Sequence, residues 1–477
     1  MISGIKGILG GLRELVAVRG FTEVLGKGYR LLCREGFGVL WHIIFELKGI
    51  RYQEWVRRFD TLTDRDRTLI RQHIDRFTYH PMISVLMPVY NPPADFLRKA
   101  IESVHRQLYP HWELCIADDA SSLPHVREIL EESMRTDSRI RVAFRTENGH
   151  ISRATNTALE MAVGEFIALL DHDDELAEQA LYHVAAALDE TPTLDLLYSD
   201  EDKIDAKGRR FDHYFKPNWN PDLFLAQNLV SHLGVYRRHA ALEIGGFRAG
   251  FEGSQDWDFA LRYIAIIPSS HIRHLPHVLY HWRAIAGSTA VSIDAKQYAV
   301  DAARRALEEF WRCKGREATV QSQGSGHFVT RLSLPDKPPK VSLVVCAGDR
   351  SVLLRRCIDG LRQHTDYPVM EILVVNNVHP KPEMLEYLAT LKHEDGIRVI
   401  PMPGLFNMAA LNNAAVVQAT GEIVCFINNS VFPKTDGWLR EMVAHALRPE
   451  IGAVGAKLLY PDGKIQHAGV LLNGFTA

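Results

Sequence analysis

The sequence is poor in features that mark several classes of protein. Only six of its 477 residues are cysteines, and none of them forms a CxxC pair. Cysteines inside apolar runs pack as small hydrophobic groups, which favours a reducing cytoplasm over a disulfide scaffold. Lysine and arginine number 55 against 58 aspartates and glutamates, a net charge of −3. Without a basic field, the chain is not expected to bind nucleic acid.

The start of the chain lacks a long apolar run. The run over 39–45 is too short to span a bilayer, which needs about 20 residues. No small-residue cleavage site follows it, so no signal peptide is predicted. Residues 1–78 are predicted instead to form an N-terminal helical arm that is amphipathic and rich in basic residues. Such an arm fits a peripheral contact with the inner face of the cytoplasmic membrane, and equally fits packing on the next domain.

What the sequence does contain is a long internal repeat. The matching segments are 83–87 with 341–345, 109–117 with 367–375, and Asn156 with Asn413. All these pairs are offset by 257 or 258 residues. The repeat predicts two tandem domains, over 80–315 and 340–477, of which the second is partial. Residues 316–339, with their serines, glycines and prolines, are predicted to form a linker.

Each copy alternates apolar strands with helical patterns. In the first copy, the segments 83–87, 113–117 and 165–170 are nearly continuous apolar runs separated by helix-forming stretches. Strands of this kind are buried on both faces of a parallel sheet. The order strand, helix, strand therefore predicts an α/β fold built from βαβ units.

Polar motifs follow three of these strands. They are 88–91, the pair Asp118-Asp119, and the acidic turn 171–174. Parallel sheets bind ligands outside the carboxyl ends of their strands. Carboxylates repel a diphosphate directly, but they hold the Mg²⁺ or Mn²⁺ that can bridge to it. An isolated D-x-D is as well explained by an acidic turn that caps a helix, whereas three motifs at one sheet edge favour a ligand site.

These motifs, together with 245–247, 252–262 and 279–283, resemble glycosyltransferase family 2, the inverting nucleotide-sugar transferases of GT-A fold. Segments 198–203 and 215–222 resemble, more narrowly, tandem-domain bacterial enzymes that build O-antigen and related surface polysaccharides. The resemblance implies a Rossmann-like, mostly parallel sheet flanked by helices. It also implies transfer of a sugar from a dTDP- or UDP-sugar to a hydroxyl of a glycan or lipid-linked acceptor.

The resemblance further assigns roles to single residues. Asp256 would be the catalytic base, and Asp173 and His281 would hold Mg²⁺ or Mn²⁺. Substrate-binding roles fall to Pro88, Tyr90, Asp118, Asp119, Asn156, Asp171 and Arg283. A carboxylate within hydrogen-bond reach can remove the proton of an attacking hydroxyl, and a metal can neutralise the diphosphate that leaves.

Other interpretations of these residues remain open at this point. Asp256 could cap the helix expected over 257–264, because aspartate is favoured at helix N-termini. His281 could belong to a packed aromatic patch, and the acidic run 200–202 could be a solvated loop. At the level of the whole chain, a non-catalytic carbohydrate-binding or assembly subunit and a nucleotidyltransferase are the alternatives to a glycosyltransferase.

The second copy has lost the acidic residues of the first. At the repeat offset, Asp118 and Asp119 become Asn376 and Asn377, Asp171 becomes Asn428, and Asp173 becomes Ser430. A neutral serine is a poor ligand for a hard dication. The second copy is therefore predicted not to catalyse transfer, and to serve as a packing partner or a sugar-binding platform.

Overall fold

The computed structural model describes residues 50–284, 297–377, 381–404 and 407–469. They form two compact units. The first extends to Gly315 and includes Val320–Thr330, and the second comprises Arg316–Thr319 and the described residues from Arg331 onward. The expected boundaries of the two domains stay a prediction.

The described part of the N-terminal arm consists of two helices, α1 (Ile50–Phe59) and α2 (Asp64–Ile74). Residues 1–49 of the predicted arm lie outside the described residues. Helix α2 begins at a capping box, in which the Thr63 side chain accepts from the backbone of Asp66 and the Asp66 side chain accepts in return. None of the helices described here is both long and apolar enough to cross a membrane.

The first unit continues with alternating strands and helices. In chain order these are β1 (Ile83–Val89), α3 (Ala94–His105), β2 (Trp112–Asp118), α4 (Pro124–Thr136), β3 (Ile140–Phe144), α5 (His150–Met161), β4 (Phe166–Leu169), β5 (Glu175–Leu176), α6 (Ala180–Glu190), β6 (Leu196–Ile204), β7 (Arg210–Tyr214), α7 (Pro221–Ala226), β8 (Gly234–Arg237), α8 (Arg238–Glu243), α9 (Gln255–Ile264), a 3₁₀ turn (Ser269–His271), β9 (Ile272–Arg283) and α10 (Gln297–Cys313).

One sheet organises this unit, in the order β3-β2-β1-β4-β8-β6-β9-β5, with β7 paired to β6. Strands β3, β2, β1 and β4 run parallel, and β8 pairs antiparallel with both β4 and β6. Every residue of β1 and β2 is buried, as their continuous apolar runs predict. The carboxyl ends of β1, β2 and β4 therefore meet at one edge of the sheet, where their polar motifs follow.

The predicted linker contains regular structure. Strands β10 (Ala318–Gly324) and β11 (His327–Leu332) pair with each other as a two-stranded sheet. Ser325 and Gly326 form the turn between them, where Ser325 has a φ of 53° and Gly326 a φ of 74°. These left-handed backbone conformations are the ones that turns require and glycine adopts readily.

The second unit repeats the start of the first. Its elements are β12 (Val341–Ala347), α11 (Ser351–Gln363), β13 (Met370–Asn376), α12 (Pro382–Leu391), β14 (Ile397–Pro401), α13 (Met408–Gln418), β15 (Ile423–Asn428), α14 (Trp438–Ala446), β16 (Leu458–Leu459) and β17 (Ile465–His467). Strands β14-β13-β12-β15 form a parallel sheet in the same order as β3-β2-β1-β4. The α/β fold in two tandem copies, predicted from the sequence, is confirmed.

The repeat extends to buried hydrogen bonds. Ser84 Oγ donates to Glu113 Oε1 at 2.6 Å, and Ser342 Oγ donates to Glu371 Oε1 at 2.7 Å. In both units the serine oxygen also accepts a hydrogen bond of 2.9 Å from a backbone N–H, that of Gly164 before β4 or that of Gly421 before β15. These bonds satisfy a carboxylate and a hydroxyl that would otherwise be costly to bury. In each unit they also link neighbouring strands of the sheet through side-chain hydrogen bonds.

Candidate functional site

A cavity of about 810 Å³ opens at the carboxyl edge of the first sheet. Of the predicted site residues, Pro88, Tyr90, Asp119, Asp171, Asp173 and Asp256 line it. The predicted residues Asp118, Asn156, His281 and Arg283 are not among its lining residues. The structure thus brings the strand-end motifs and the start of α9 to one cavity, while four predicted residues lie elsewhere.

The acidic turn after β4 forms one wall of the cavity. Asp174 is completely buried, and its carboxylate accepts from the Tyr280 hydroxyl at 2.6 Å and from the backbone N–H of Arg283 at 2.7 Å. The Tyr280 hydroxyl also accepts from the backbone N–H of Asp171 at 3.2 Å. Burial raises the pKa of Asp173, and Asp171 adds to this rise although His172 opposes it. Hydrogen bonds from Tyr280 and Arg283 of β9 thus hold the acidic turn in place.

Within the part of the chain that is described, three ligand groups lie close enough to share a metal ion. One ligand atom each from Asp171, Asp174 and His232 lies within 4.8 Å of the others. The His232 ring stacks on Tyr280, with ring centroids 4.4 Å apart. Carboxylate oxygens with one imidazole suit Mg²⁺ or Mn²⁺, so this donor set fits the divalent ion expected from the sequence.

The predicted metal ligand His281 contacts Asp202 in this structure. Its Nδ1 bonds the Asp202 carboxylate at 2.6 Å, and it does not line the cavity. Asp202 has a completely buried side chain and also accepts from the Tyr52 hydroxyl at 2.7 Å and from Arg210 at 2.5 Å. Although burial opposes ionisation, His281 and Arg210 lower the pKa of Asp202. His281 is therefore a partner in a buried charge network, whereas His232 is the histidine that lies beside the acidic turn.

Arg283, predicted to bind substrate, lies outside the lining of the cavity. Its side chain is fully buried and pairs with Glu175. Its Nε donates to the Asp173 carbonyl at 2.6 Å, and its Nη1 donates to the Asp205 carbonyl at 3.2 Å. The guanidinium also lies over the Phe96 ring, 4.6 Å from its centroid. With each guanidinium nitrogen engaged, Arg283 supports the acidic turn from beneath.

Asp256 lies in the first turn of α9, on the cavity wall. Ser254 occupies the position before the helix, so Asp256 is not the cap that the sequence allowed. Its Oδ2 accepts from Asn228 Nδ2 at 2.6 Å. Burial raises the pKa of Asp256, and nearby Asp171 raises it further although His232 opposes this. A raised pKa makes a half-buried carboxylate a stronger base, and so better suited to accept the proton of an attacking hydroxyl.

The acidic run of β6 is not the solvated loop that the sequence left open. Asp200, Glu201 and Asp202 are all buried. Glu201 pairs with Lys216 at 3.1 Å and accepts from the backbone N–H of His232 at the same distance. Lys216 has a completely buried side chain and also donates to the carbonyl of His232 at 2.5 Å. The Glu201–Lys216 pair therefore fixes the backbone on both sides of His232.

The residues of the Asp118–Asp119 motif divide between two roles. Asp119 is buried against the start of α5, where it accepts from Arg145 Nε at 2.8 Å and from the backbone N–H of Gly149 at 2.9 Å. The favourable field of a helix N-terminus suits this carboxylate. Asp118 Oδ1 accepts from the backbone of Ser121 at 3.3 Å and so shapes the loop after β2.

Asn156, predicted to bind substrate, is engaged elsewhere. Its Nδ2 donates to the carbonyl of Phe247, and its Oδ1 accepts from the N–H of the same residue, both at 2.8 Å. Its Oδ1 also lies where a side chain on Gly246 would stand, 2.4 Å from an ideal Cβ. Asn156 therefore fastens α5 to the loop that carries the Gly-Gly-Phe motif.

Sequence reasoning missed three residues of the site. His232 and Asn228 lie in the segment before β8, and Lys216 lies after β7. All three come from the segment 215–233, of which only 215–222 was noted for its resemblance. No local pattern of the sequence marks His232 or Asn228, because both reach the site through the long-range pairing of β8.

Two segments of the chain match a single protein-family model. The family model described as Glycosyl transferase family 2 matches residues 84–245 and 342–470. An uncharacterized protein, y4gI of Sinorhizobium fredii, is 44% identical over 421 residues, which is 88% of this chain and 46% of that protein. The O-antigen biosynthesis protein RfbC of Myxococcus xanthus is 39% identical over 407 residues, 85% of this chain and 32% of that protein. The chain thus spans less than half of the length of these relatives.

Among solved structures, S. aureus TarS 1-349 is 21% identical, with a TM-score of 0.36 over 48% of this chain and 70% of that chain. The family model covers well over half of the sequence, and it matches the two units separately, as the repeat predicts. The chain belongs to glycosyl transferase family 2.

Proposed function

We propose that the first unit transfers a sugar from a nucleotide-sugar donor to an acceptor hydroxyl, with inversion at the anomeric carbon. The observation that carries this proposal is the shared cavity of about 810 Å³, which Asp171, Asp173 and Asp256 all line. Carboxylates able to hold a metal thus face the same space as a carboxylate suited to proton removal. Transfer between two polar substrates needs both groups within one site.

In this proposal each residue has a separate task. Asp256 accepts the proton of the acceptor hydroxyl as that oxygen attacks, and Asn228 holds the carboxylate in place. Pro88 and exposed Tyr90 line the cavity beside β1 and offer a surface for the nucleotide base. A single in-line attack opposite the leaving group inverts the anomeric carbon.

The divalent ion would be held by Asp171 and His232, with Asp173 and Asp174 on the same turn. When bound, it neutralises the charge that develops on the departing nucleoside diphosphate. The stacking of His232 on Tyr280 and the buried Glu201–Lys216 pair keep the imidazole at this wall. These supports lie in the protein itself, so the ligand geometry would be set before the ion arrives.

The substrates are proposed from the relatives and the sequence. RfbC carries the name of an O-antigen biosynthesis protein, which supports a glycan or lipid-linked acceptor in bacterial surface polysaccharide synthesis. A dTDP- or UDP-sugar is the proposed donor, of the hexose or deoxyhexose class. We further propose that the reaction takes place at the inner face of the cytoplasmic membrane, where the basic N-terminal arm would make a peripheral contact.

A donor panel tests the proposal. The purified chain is incubated with dTDP- and UDP-sugars and a glycan acceptor, with and without Mn²⁺ or Mg²⁺, and released nucleoside diphosphate is measured. We expect metal-dependent release that Asp173→Ala abolishes. Glu128→Ala removes an exposed carboxylate of α4 and should leave the rate unchanged. Release of pyrophosphate would instead identify a nucleotidyltransferase, and glycan binding without turnover would identify a carbohydrate-binding subunit.

A further inference from the structure

The second unit keeps its own cavity at the matching place in the fold. This cavity of about 290 Å³ lies at the carboxyl ends of β12 and β15. Every residue that lines it corresponds, at the repeat offset of 257 or 258, to a residue that lines the first cavity. Asn412 stands for Thr155, for example, and Asn428 stands for Asp171. The part of the space beside these strands has therefore been retained, although the residues within it have changed.

The change in these residues removes charge. Among the residues whose placement is described, the lining of the second cavity contains three asparagines, Asn412, Asn428 and Asn429, and neither a carboxylate nor a basic side chain. Asn428 Oδ1 accepts from the backbone N–H and the hydroxyl of Ser430 at 3.0 and 2.9 Å. Neutral oxygens alone hold a hard dication weakly. Without a metal or a basic residue, a diphosphate has no counter-charge in this cavity.

The groups that remain suit a neutral sugar. Asparagine side chains offer both donors and acceptors, which match adjacent hydroxyl groups. Across the residues with described placement, neither Asn412 nor Asn428 uses its amide nitrogen in a hydrogen bond. Phe426 and Met408 line the same cavity and are 55% and 43% exposed, so they offer apolar surface to the C–H face of a sugar ring. The volume is close to the lower end of ligand pockets, about 300 Å³, and leaves room for one sugar residue.

We propose that the second unit is a metal-independent binding site for a neutral sugar residue of a glycan, without turnover. The site would hold a glycan on the same chain as the proposed transferase site, which raises the local concentration of acceptor. The inference rests on the lining of the second cavity and not on the identity of the donor. If the transferase activity of the first unit is not found, sugar binding by the second unit is still to be expected. If the second unit does not bind a sugar, the proposed transferase activity is unaffected.

Hydrogen–deuterium exchange of the full chain tests this inference. The probes are glucose, rhamnose and N-acetylglucosamine, each added without metal, and UDP and dTDP, each added with Mn²⁺. We expect a neutral sugar to slow exchange in peptides that cover 407–413 and 426–431. Asn412→Ala/Asn428→Ala should weaken this protection on the order of tenfold, because two hydrogen bonds are lost. Asn413→Ala changes an exposed neighbour on the same helix and should keep the protection.

Two results would overturn the inference. If none of the neutral sugars slows exchange in these two peptides of the wild-type chain, the cavity does not bind a sugar. If UDP or dTDP with Mn²⁺ protects them instead, the second unit is a nucleotide site. The wild-type measurement decides the matter even if the double variant fails to fold.

Discussion

Replacing Asn228 with alanine should shift the acid limb of the pH–rate profile. Asn228 Nδ2 donates to Asp256 Oδ2 at 2.6 Å, and this bond favours the charged carboxylate. Burial already raises the pKa of Asp256, so removing the donor should raise it further. A base must be deprotonated to act, and activity therefore falls as the pH drops through this pKa. A higher pKa moves that fall to higher pH.

The size of the shift follows from the strength of the bond. A hydrogen bond to a charged group contributes about 1.5–3 kcal/mol, and one pKa unit corresponds to about 1.4 kcal/mol. The largest rise expected in the pKa of Asp256 is therefore about 1–2 units. Water that enters beside the half-buried Asp256 should reduce this rise to about one unit. Asn228→Asp keeps an acceptor for the N–H of Ser231 but places a second carboxylate beside Asp256. It should therefore shift the limb further in the same direction.

The assay is kcat/KM for nucleoside diphosphate release across the pH range, with the donor found in the panel. Gln227→Ala is the matched control, because this neighbouring cavity residue donates to the Tyr214 hydroxyl and not to Asp256. It should leave the limb in place even if KM changes. An acid limb that stays fixed or moves to lower pH in a folded Asn228→Ala variant would refute the assignment of Asp256 as the base.

Three further predictions concern the same site. Asp256→Asn should reduce kcat by about 10²–10⁴-fold, which is the usual contribution of a general base. Isothermal titration should show that the variant still binds nucleoside diphosphate. An unchanged kcat would contradict the role of Asp256 as the base. His232→Ala should raise the Mn²⁺ concentration needed for half-maximal turnover by about 10-fold or more, whereas His281→Ala should not. An effect of His281→Ala without an effect of His232→Ala would instead support His281 as the metal ligand. Arg283→Met should lower the free energy of unfolding by about 1–3 kcal/mol, because the carbonyls of Asp173 and Asp205 would lose their donor and Glu175 its ion-pair partner; a loss of nucleotide binding without destabilisation, measured by urea denaturation, would show a diphosphate contact instead.

The fold could be predicted because its signals are local and redundant. Continuous apolar runs such as 83–87 identify strands that are buried on both faces, and the same pattern recurs at a constant offset in the second copy. The strand-end position of Asp171 and Asp173 follows directly from the alternation of strands and helices. To predict these parts of the cavity, it is enough to know that the carboxyl ends of parallel strands meet at one edge of the sheet.

The rest of the site depends on which face of a strand a residue occupies. In β9, Trp282 lines the cavity while its neighbours His281 and Arg283 do not, because successive side chains alternate between the two faces. A motif read in sequence order does not record that alternation. His232 reaches the acidic turn through the antiparallel strand β8, a long-range crossing without a local sequence signal.

The acidic run of β6 was open to misinterpretation for a different reason. Charged residues are usually exposed, so three acids in succession favour a loop. In the structure each acid has a buried partner from a distant segment, such as Lys216 for Glu201 and His274 for Asp200. Burial of charge becomes acceptable only when such partners are present, and the sequence does not show which residues will meet.

We propose that the first unit alone holds an activated sugar through a divalent ion beside Asp256. A crystal structure of the chain soaked with Mn²⁺ and a nucleoside diphosphate, measured at a wavelength where manganese scatters anomalously, tests this proposal. We expect an anomalous peak within coordination distance of Asp171 and His232, with the diphosphate in the same cavity, and no peak in the cavity of the second unit. A peak beside Asn428, or a diphosphate bound away from the Asp171–Asp174 turn, would contradict it.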